Sequence, residues 1–361
     1  MMQLAIYGAQ GIALGAYEAI RELFPTREVK CFVVTEQGNN AKTLGDLPVI
    51  ELKRFAAELS REQKEKIEIL IATPETVMSE IEKELEQQEL FCHTRLTSAR
   101  WAQLVSYHFA RMGQFTPLAS LPVGYQKADM CMFMAKFYRD KVLNQEYQLP
   151  EWIKPIQVGA ALCEERVADI LDCTGDNISE KNGNYSELTA LYWIWKNELV
   201  KSGVQENAYY GLSHYRRILQ ITEDDISRLA SNGVDAVLPY PLSYEPNIEA
   251  HHLRYIRRED WKAVLDALAE ASPDYAAGLA EILAQKYFFN YNILLAKKQV
   301  LQDYCSWLFP ILKRIEELSI PKGMERCDRY IGYISETLLT LYFLYNKKKL
   351  NIVHTGCLFL T

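Results

Sequence analysis

The sequence predicts an α/β chain of two domains, the first a Rossmann-like parallel-sheet domain, on three observations. Short apolar runs alternate with amphipathic helical stretches through about the first hundred residues, as a parallel sheet covered by helices requires. A glycine-punctuated turn, "YGAQGIALGA", follows the first apolar run. The 361 residues exceed what one hydrophobic core usually serves.

Taken in order, "QLAIYG" and "VKCFVVT" read as strands with the helix "LGAYEAIREL" between them, a βαβ unit. "LPVIEL" adds a short strand, "AAELSREQKEKI" one charged helix, and "IEILIAT" another strand. In "TPETVMSEIEKELEQQ", Thr73 is placed to cap a helix, Pro74 to open it, and Val77, Ile81 and Leu85 to form its apolar stripe. "WAQLVSYHFARMG" reads as a further helix. Prolines and glycines collect from Gln114 to Gly124, so the first domain is expected over 1–115 and the second over 125–361. The second opens on the strand "ADMCMFMAKFY", followed by "IKPIQVGAAL", the polar loop "DCTGDNISEKNGNY" and the helix "SELTALYWIWKNEL". Ser186 would cap that helix, and Leu188, Leu191, Tyr192 and Trp195 make its stripe, leaving Trp193 off it. The strands "AYYGLSHYRRIL" and "VDAVLPYP" come next.

A formal charge of -7 and a pI near 5.6 argue against general nucleic-acid affinity, which demands a basic face. With 49% hydrophobic and 24% charged residues, the chain reads as globular. Its eight cysteines form no C-x-x-C pair, which excludes a zinc ribbon and a dithiol redox motif. The N-terminus has no basic leader region and no apolar run reaches the roughly 18 to 20 residues of a spanning helix. A cytoplasmic location is expected, with peripheral contact at the inner face of the cell membrane left open.

Several residues are candidates for chemistry. Gly8, Gly11 and Gly15 sit where backbone amides meet a phosphate, although glycines there equally serve close packing. The spacing is not G-x-G-x-x-G, and only Glu36 closes the second strand with an acid, which counts against an NAD-dependent oxidoreductase. Asp172, Asp176, Asn177, Glu180, Asn182 and Asn184 gather before a helix, either to orient a polyhydroxylated ligand or simply to form turns. In "AYYGLSHYRRIL", His214, Arg216 and Arg217 are expensive to bury unless an anion pairs with them. Neighbours on a strand face opposite ways, so unless the strand has already turned one arginine is expected at a ligand and the other in a structural ion pair. His251 and His252, in "YEPNIEAHHLRYIRRED", lack carboxylates at metal-ligand spacing; an acceptor-binding loop or a solvated charged face fits better.

The blocks "PIQVGAAL", "DNISEKNGNYSELTALYWIWKN", "YYGLSHYRR", "VDAVLP", "YFFNYNILLAKKQVLQDY" and "RYIGYISETLLTLYFLY" resemble, in this order, a bacterial capsular and exopolysaccharide glycosyltransferase family. That family is catalogued as a domain of unknown function and carries an H-Y-R-R signature, and the resemblance covers roughly residues 130 to 350. It implies an A-type glycosyltransferase-like mixed α/β domain that moves a sugar from a nucleotide-sugar donor to a polysaccharide or lipid-linked glycan acceptor. A-type enzymes usually hold a divalent metal through D-x-D at a strand end. None is evident here, since Asp224 and Asp225 follow Glu223 at a helix start, and Mn or Mg stays open as a cofactor. Guanidinium forks can stabilise a leaving diphosphate in its place. The resemblance implies catalytic roles for Glu336, Arg216, Arg217 and His214, and donor binding by Asp176, Asn177, Glu187, Tyr215, Asn290 and Asn292. The family usually has arginine after the glutamate, where this chain has Thr337. The N-terminal unit loosely resembles Rossmann-like domains that precede some sugar-modifying transferases, with a nucleotide or nucleotide-sugar near Gly8, Gly11 and Gly15. A non-catalytic nucleotide-sugar sensor or scaffold of the polysaccharide assembly machinery is the alternative.

Overall fold

β1 (Gln3–Tyr7) is buried from Leu4 onward because it lies at the centre of a parallel sheet. The computed structural model describes residues 3–203 and 205–361. A first unit contains the chain up to Phe115 together with Leu242–Glu245 and Thr361. Its other strands are β2 (Val29–Val34), β3 (Thr43–Leu44), β4 (Leu47–Glu51), β5 (Ile67–Ile71) and β6 (His93–Arg95). The order is β3-β4-β2-β1-β5-β6, parallel throughout except for β3 against β4. This is a Rossmann-like sheet, and helices on its faces explain why β1 and β2 are near-continuous apolar runs. The strand order reverses between β1 and β5, and there Gly8 adopts φ +125°, with Ala72 O only 2.6 Å from where a Cβ would sit.

Local chemistry changes some expected elements in this unit. The charged helix is two, Leu52–Glu58 and Arg61–Lys66, because Ser60 and Gln63 form a capping box that restarts the chain. Pro74, not Thr73, occupies the cap position before Glu75–Gln87, and the Thr73 hydroxyl is buried without a hydrogen-bond partner. Met78 joins Ile81 and Leu85 in the core, whereas Val77 is 38% exposed.

The second unit comprises Thr116–Pro241 and Pro246–Leu360. In chain order its strands are β7 (Met130–Lys136), β8 (Ile153–Gln157), β9 (Ile170–Leu171), β10 (Tyr209–His214), β11 (Arg217–Leu219) and β12 (Ala236–Pro239). After β13 (Leu242–Ser243), which belongs to the first unit, come β14 (Tyr287–Phe288), β15 (Leu294–Lys297), β16 (Ile352–Thr355) and β17 (Cys357–Phe359). The main sheet runs β16-β12-β15-β10-β7-β8-β9 and is mixed: β15 lies antiparallel to both β10 and β12, while β10, β7, β8 and β9 are mutually parallel. β11 folds back on β10 and pairs with β17. Met132, Met134, Tyr209, Val237 and Leu295 fill the core of this mixed α/β unit. The helix Tyr330–Tyr345 is apolar around most of its circumference, as its burial requires.

Ser186 does not cap the helix after the polar loop. It has φ +50°, the helix Leu188–Trp193 follows Glu187, and a π turn over Ile194–Glu198 shifts the side-chain phase. Trp193, before that turn, faces inward, packing edge-on to Phe133. Among the described residues, no helix is long and apolar enough to cross a membrane.

Candidate functional site

β7, β8 and β10 run parallel side by side, so their C-terminal ends open in one direction. A cleft of about 360 Å³ lies there, in the position where open α/β sheets bind ligands. β7 delivers Phe137 and Asp140 to its wall, and β10 delivers His214 and the two arginines after it.

The "HYRR" run is a hairpin turn. His214 pairs with Arg217 across it, leaving Tyr215 and Arg216 as the two turn residues, so the strand read through "AYYGLSHYRRIL" is broken. Strand alternation does not apply at a turn, and both arginines line the cleft, correcting the expectation that one faces away. The Arg217 guanidinium lies 4.1 Å from the Tyr291 ring centroid and 4.9 Å from that of Phe359. Arg216 lies 5.0 Å from Tyr215 and 5.5 Å from Phe359. Aromatic faces thus hold both cations, and neither makes an ion pair among the described residues. The Arg216 Nε and His214 Nε2 are buried without a hydrogen-bond partner. Buried polar atoms left without a partner in a cleft call for a ligand or water.

A third guanidinium, Arg329, lines the same cleft, its side chain 60% exposed. Its Nε donates to Ser186 Oγ at 2.9 Å, and its backbone N–H donates to Gly183 O. Asn184 donates to the carbonyls of Gly323 and Arg326 at 2.7 Å each, which pins the loop that presents Arg329. Four non-glycine residues around the cleft take left-handed backbone: Ser186 (φ +50°), Tyr291 (+73°), Asn292 (+51°) and Arg329 (+62°). Such conformations cost free energy and concentrate where a side chain must be aimed.

Behind the arginines lies a carboxylate pair. Glu187 is buried, its Oε1 accepting from Asn292 Nδ2 at 2.7 Å and lying 3.9 Å from His214 Nε2, while Arg329 approaches Oε2 at 3.9 Å. Asn292 is held in turn by Ser335, whose hydroxyl donates to Asn292 Oδ1 at 2.9 Å. The half-buried Glu336 has its carboxyl pushed up to about 8, first by burial and then by the Glu187 charge; Arg217 and Arg329 pull it back. Asp140 is pushed up to about 6 by burial, against the Phe137 N–H and the Arg216 charge. Burial lowers the His214 pKa despite Glu187, so the ring is neutral at pH 7.

Of the residues singled out in the sequence, the structure brings Glu187, His214, Tyr215, Arg216 and Arg217 to one cleft. Asn292 reaches it through Glu187, and Glu336 sits close enough to feel Glu187 and Arg217. Asn290 precedes the strained turn and does not line the cleft. Asp176 and Asn177 do not line it either: Asp176 accepts from the Tyr192 hydroxyl at 3.1 Å, and Asn177 donates to Gly175 O at 2.9 Å within their own loop. Thr337 bonds His252 Nδ1 at 2.7 Å. Sequence reasoning missed Asp140 and Arg329; each stands alone in a loop, without a partner at recognisable spacing. In the first unit, the three candidate glycines are closely packed. Gly11 faces Leu242 Cβ at 3.0 Å and Ser243 O at 3.2 Å, Gly15 faces the Trp101 ring at 3.6 Å, and Gly8 abuts Ala72.

Among the described residues, no group of three or more His, Cys, Asp or Glu side chains converges as metal ligands require, and the cleft's prominent charges are cationic.

No curated protein sequence matches the chain. The apo structure of the bifunctional glycosyltransferase WbbM is similar, with a TM-score of 0.53 and 25% sequence identity over 64% of this chain. The match spans 45% of that structure's chain, less than half its length. Residues 142–348, more than half of the sequence, match the model of the family described as Domain of unknown function (DUF4422), and the chain belongs to that family.

Proposed function

We propose that the chain is a glycosyltransferase that moves a sugar from a nucleotide-sugar donor to a glycan or lipid-linked acceptor, in the assembly of a capsular or extracellular polysaccharide. The observation that carries this reading is the convergence of Arg216, Arg217 and Arg329 on one cleft at the ends of three parallel strands. The likeness to WbbM supports it. A diphosphate gains charge as its bond to the sugar's anomeric carbon breaks, and three preset guanidiniums stabilise that charge without reorganising. The neutral His214 offers its unpartnered Nε2 as an acceptor to a sugar hydroxyl. As the acceptor oxygen bonds to the anomeric carbon, its proton passes to Glu336, whose raised pKa suits a base working near neutral pH.

The test is a thermal-shift series with UDP-, GDP- and dTDP-sugars, each with manganese, magnesium or EDTA, followed by nucleotide release. One nucleotide class should raise Tm to the same extent in EDTA as in metal, because a ligand of the native state stabilises it. No shift from any donor would overturn the assignment. A shift without nucleotide release, in the presence of glycan acceptors, would instead make the chain a sensor.

A further inference from the structure

We infer that Tyr255, backed by Tyr333, is a platform on which a sugar ring of the acceptor stacks; this rests on the reading of the arginine-lined cleft as the donor site. Tyr255 is 55% exposed, yet its ring is held from behind. Tyr333 stacks on it at 5.6 Å with 29° between the planes, and His251 meets it edge-on at 5.2 Å. His251 in turn packs against Phe288 at 5.5 Å. The chain segment is fixed too, since Asn247 caps the short helix Ile248–His252, and His252 bonds Thr337 at 2.7 Å and packs on Trp261 at 4.3 Å. A tyrosine that is both exposed and immobilised exposes apolar surface with no internal partner, and it is already ordered for binding.

The occupant follows from what lies beside the ring. Arg329, Tyr333 and Glu336 are four and then three residues apart, the spacing that puts side chains on one face of the helix Tyr330–Tyr345 and its entry. Arg329 lines the donor cleft, and its guanidinium is 5.9 Å from the Tyr333 ring centroid. Glu336 lies one helical turn beyond Tyr333. The ring pair therefore stands beside the two groups between which an acceptor hydroxyl must arrive. A pyranose has one face of C–H bonds and an edge of hydroxyls. The negative face of an aromatic ring attracts the first, and charged neighbours bind the second. A purely aliphatic partner would leave Arg329 and Glu336 desolvated without hydrogen bonds, which is unfavourable.

The test uses the full-length protein and saturation-transfer NMR with the methyl pyranosides of glucose, galactose, mannose and N-acetylglucosamine as probes. At least one glycoside should receive saturation from the wild-type protein. Tyr255→Ala should weaken that binding about tenfold, and Tyr255→Phe should keep it within about twofold, because stacking needs the ring and not the hydroxyl. Tyr255→Ala should leave the nucleotide-sugar thermal shift unchanged, which separates a platform from a merely structural residue. No signal from any glycoside, an equal signal in the alanine variant, or loss of nucleotide-sugar binding in that variant would each overturn the proposal. A wild-type protein that binds glycosides through Tyr255 but no nucleotide-sugar would refute the donor reading alone and leave the platform standing.

Discussion

Replacing Glu336 with glutamine tests the carboxylate pair in two independent ways. The side chain keeps its shape but can no longer ionise, so any effect reports the proton. In the folded protein the carboxyl is pushed up from its usual 4.5 to about 8, by burial and then by Glu187. The folded state therefore binds this proton more tightly than the unfolded chain does. The stability it contributes is complete below pH 4.5 and is lost as pH rises to about 8. At about 1.4 kcal/mol per pH unit, the loss by pH 9 reaches about 5 kcal/mol as an upper bound, because Glu336 is only half-buried. Glutamine abolishes this dependence. The Tm of Glu336→Gln minus that of the wild type should thus be near zero at pH 4.5 and grow by several degrees towards pH 9, at roughly 2 to 4 °C per kcal/mol. Nucleotide release by the wild type should rise through an apparent pKa near 8, and the variant should lose both the rise and most of the turnover, by about a hundredfold or more. A Tm difference that stays constant across pH would show that Glu336 is an ordinary solvated carboxylate. Unchanged turnover would remove it from the chemistry.

Arg216→Lys and Arg217→Lys should each weaken nucleotide-sugar binding, measured calorimetrically, by about 1 to 2 kcal/mol, because both line the cleft and lysine keeps the charge without the fork or the ring stacking; full affinity in either variant would put that arginine outside the donor site. Asn292→Ala should cost roughly 2 kcal/mol in urea unfolding, since it strands the buried Glu187 carboxylate, and a cost below about 0.5 kcal/mol would mean that water replaces the amide. Gly11→Val should destabilise the first unit by about 1 to 3 kcal/mol, as its Cβ would already sit 3.0 Å from Leu242 Cβ, while nucleotide-sugar still raises the Tm of the second; loss of that shift with folding intact would tie Gly11 to the ligand.

The sheet of the first unit was legible because its strands are continuous apolar runs, a pattern that propensity and burial both favour at β1, β2 and β5. Boundaries failed where one side chain overruled the periodicity. Ser60 restarts a helix that reads as continuous, and a π turn over Ile194–Glu198 breaks the regular spacing that puts Trp195 in the stripe. The arginines of the site announced themselves as costly residues in an apolar strand, but their geometry did not. A hairpin cannot be told from a strand without knowing that β17, well over a hundred residues away, supplies the partner for β11. Arg329 was invisible for the same reason, because its partner Ser186 lies more than a hundred residues away and only the fold places it there.

The electrostatics of the cleft account for guanidiniums where a metal might otherwise sit. The cleft carries Glu187 beside Glu336, a pair whose mutual repulsion helps to keep one of them protonated. Further carboxylates in the cleft would raise that pKa again. Arginines held by Tyr215, Tyr291 and Phe359 avoid the conflict, because aromatic faces orient a guanidinium without adding negative charge. The same cations lower the Glu336 pKa from the other side and so bias that carboxyl towards ionisation. Once a diphosphate neutralises Arg217 and Arg329, that bias weakens and the carboxyl takes up its proton more readily. Donor binding should therefore be accompanied by net proton uptake near pH 8, which calorimetry in buffers of different ionisation enthalpy would measure. Binding without proton exchange would separate the carboxylate pair from the arginine cluster and return Glu336 to a structural role.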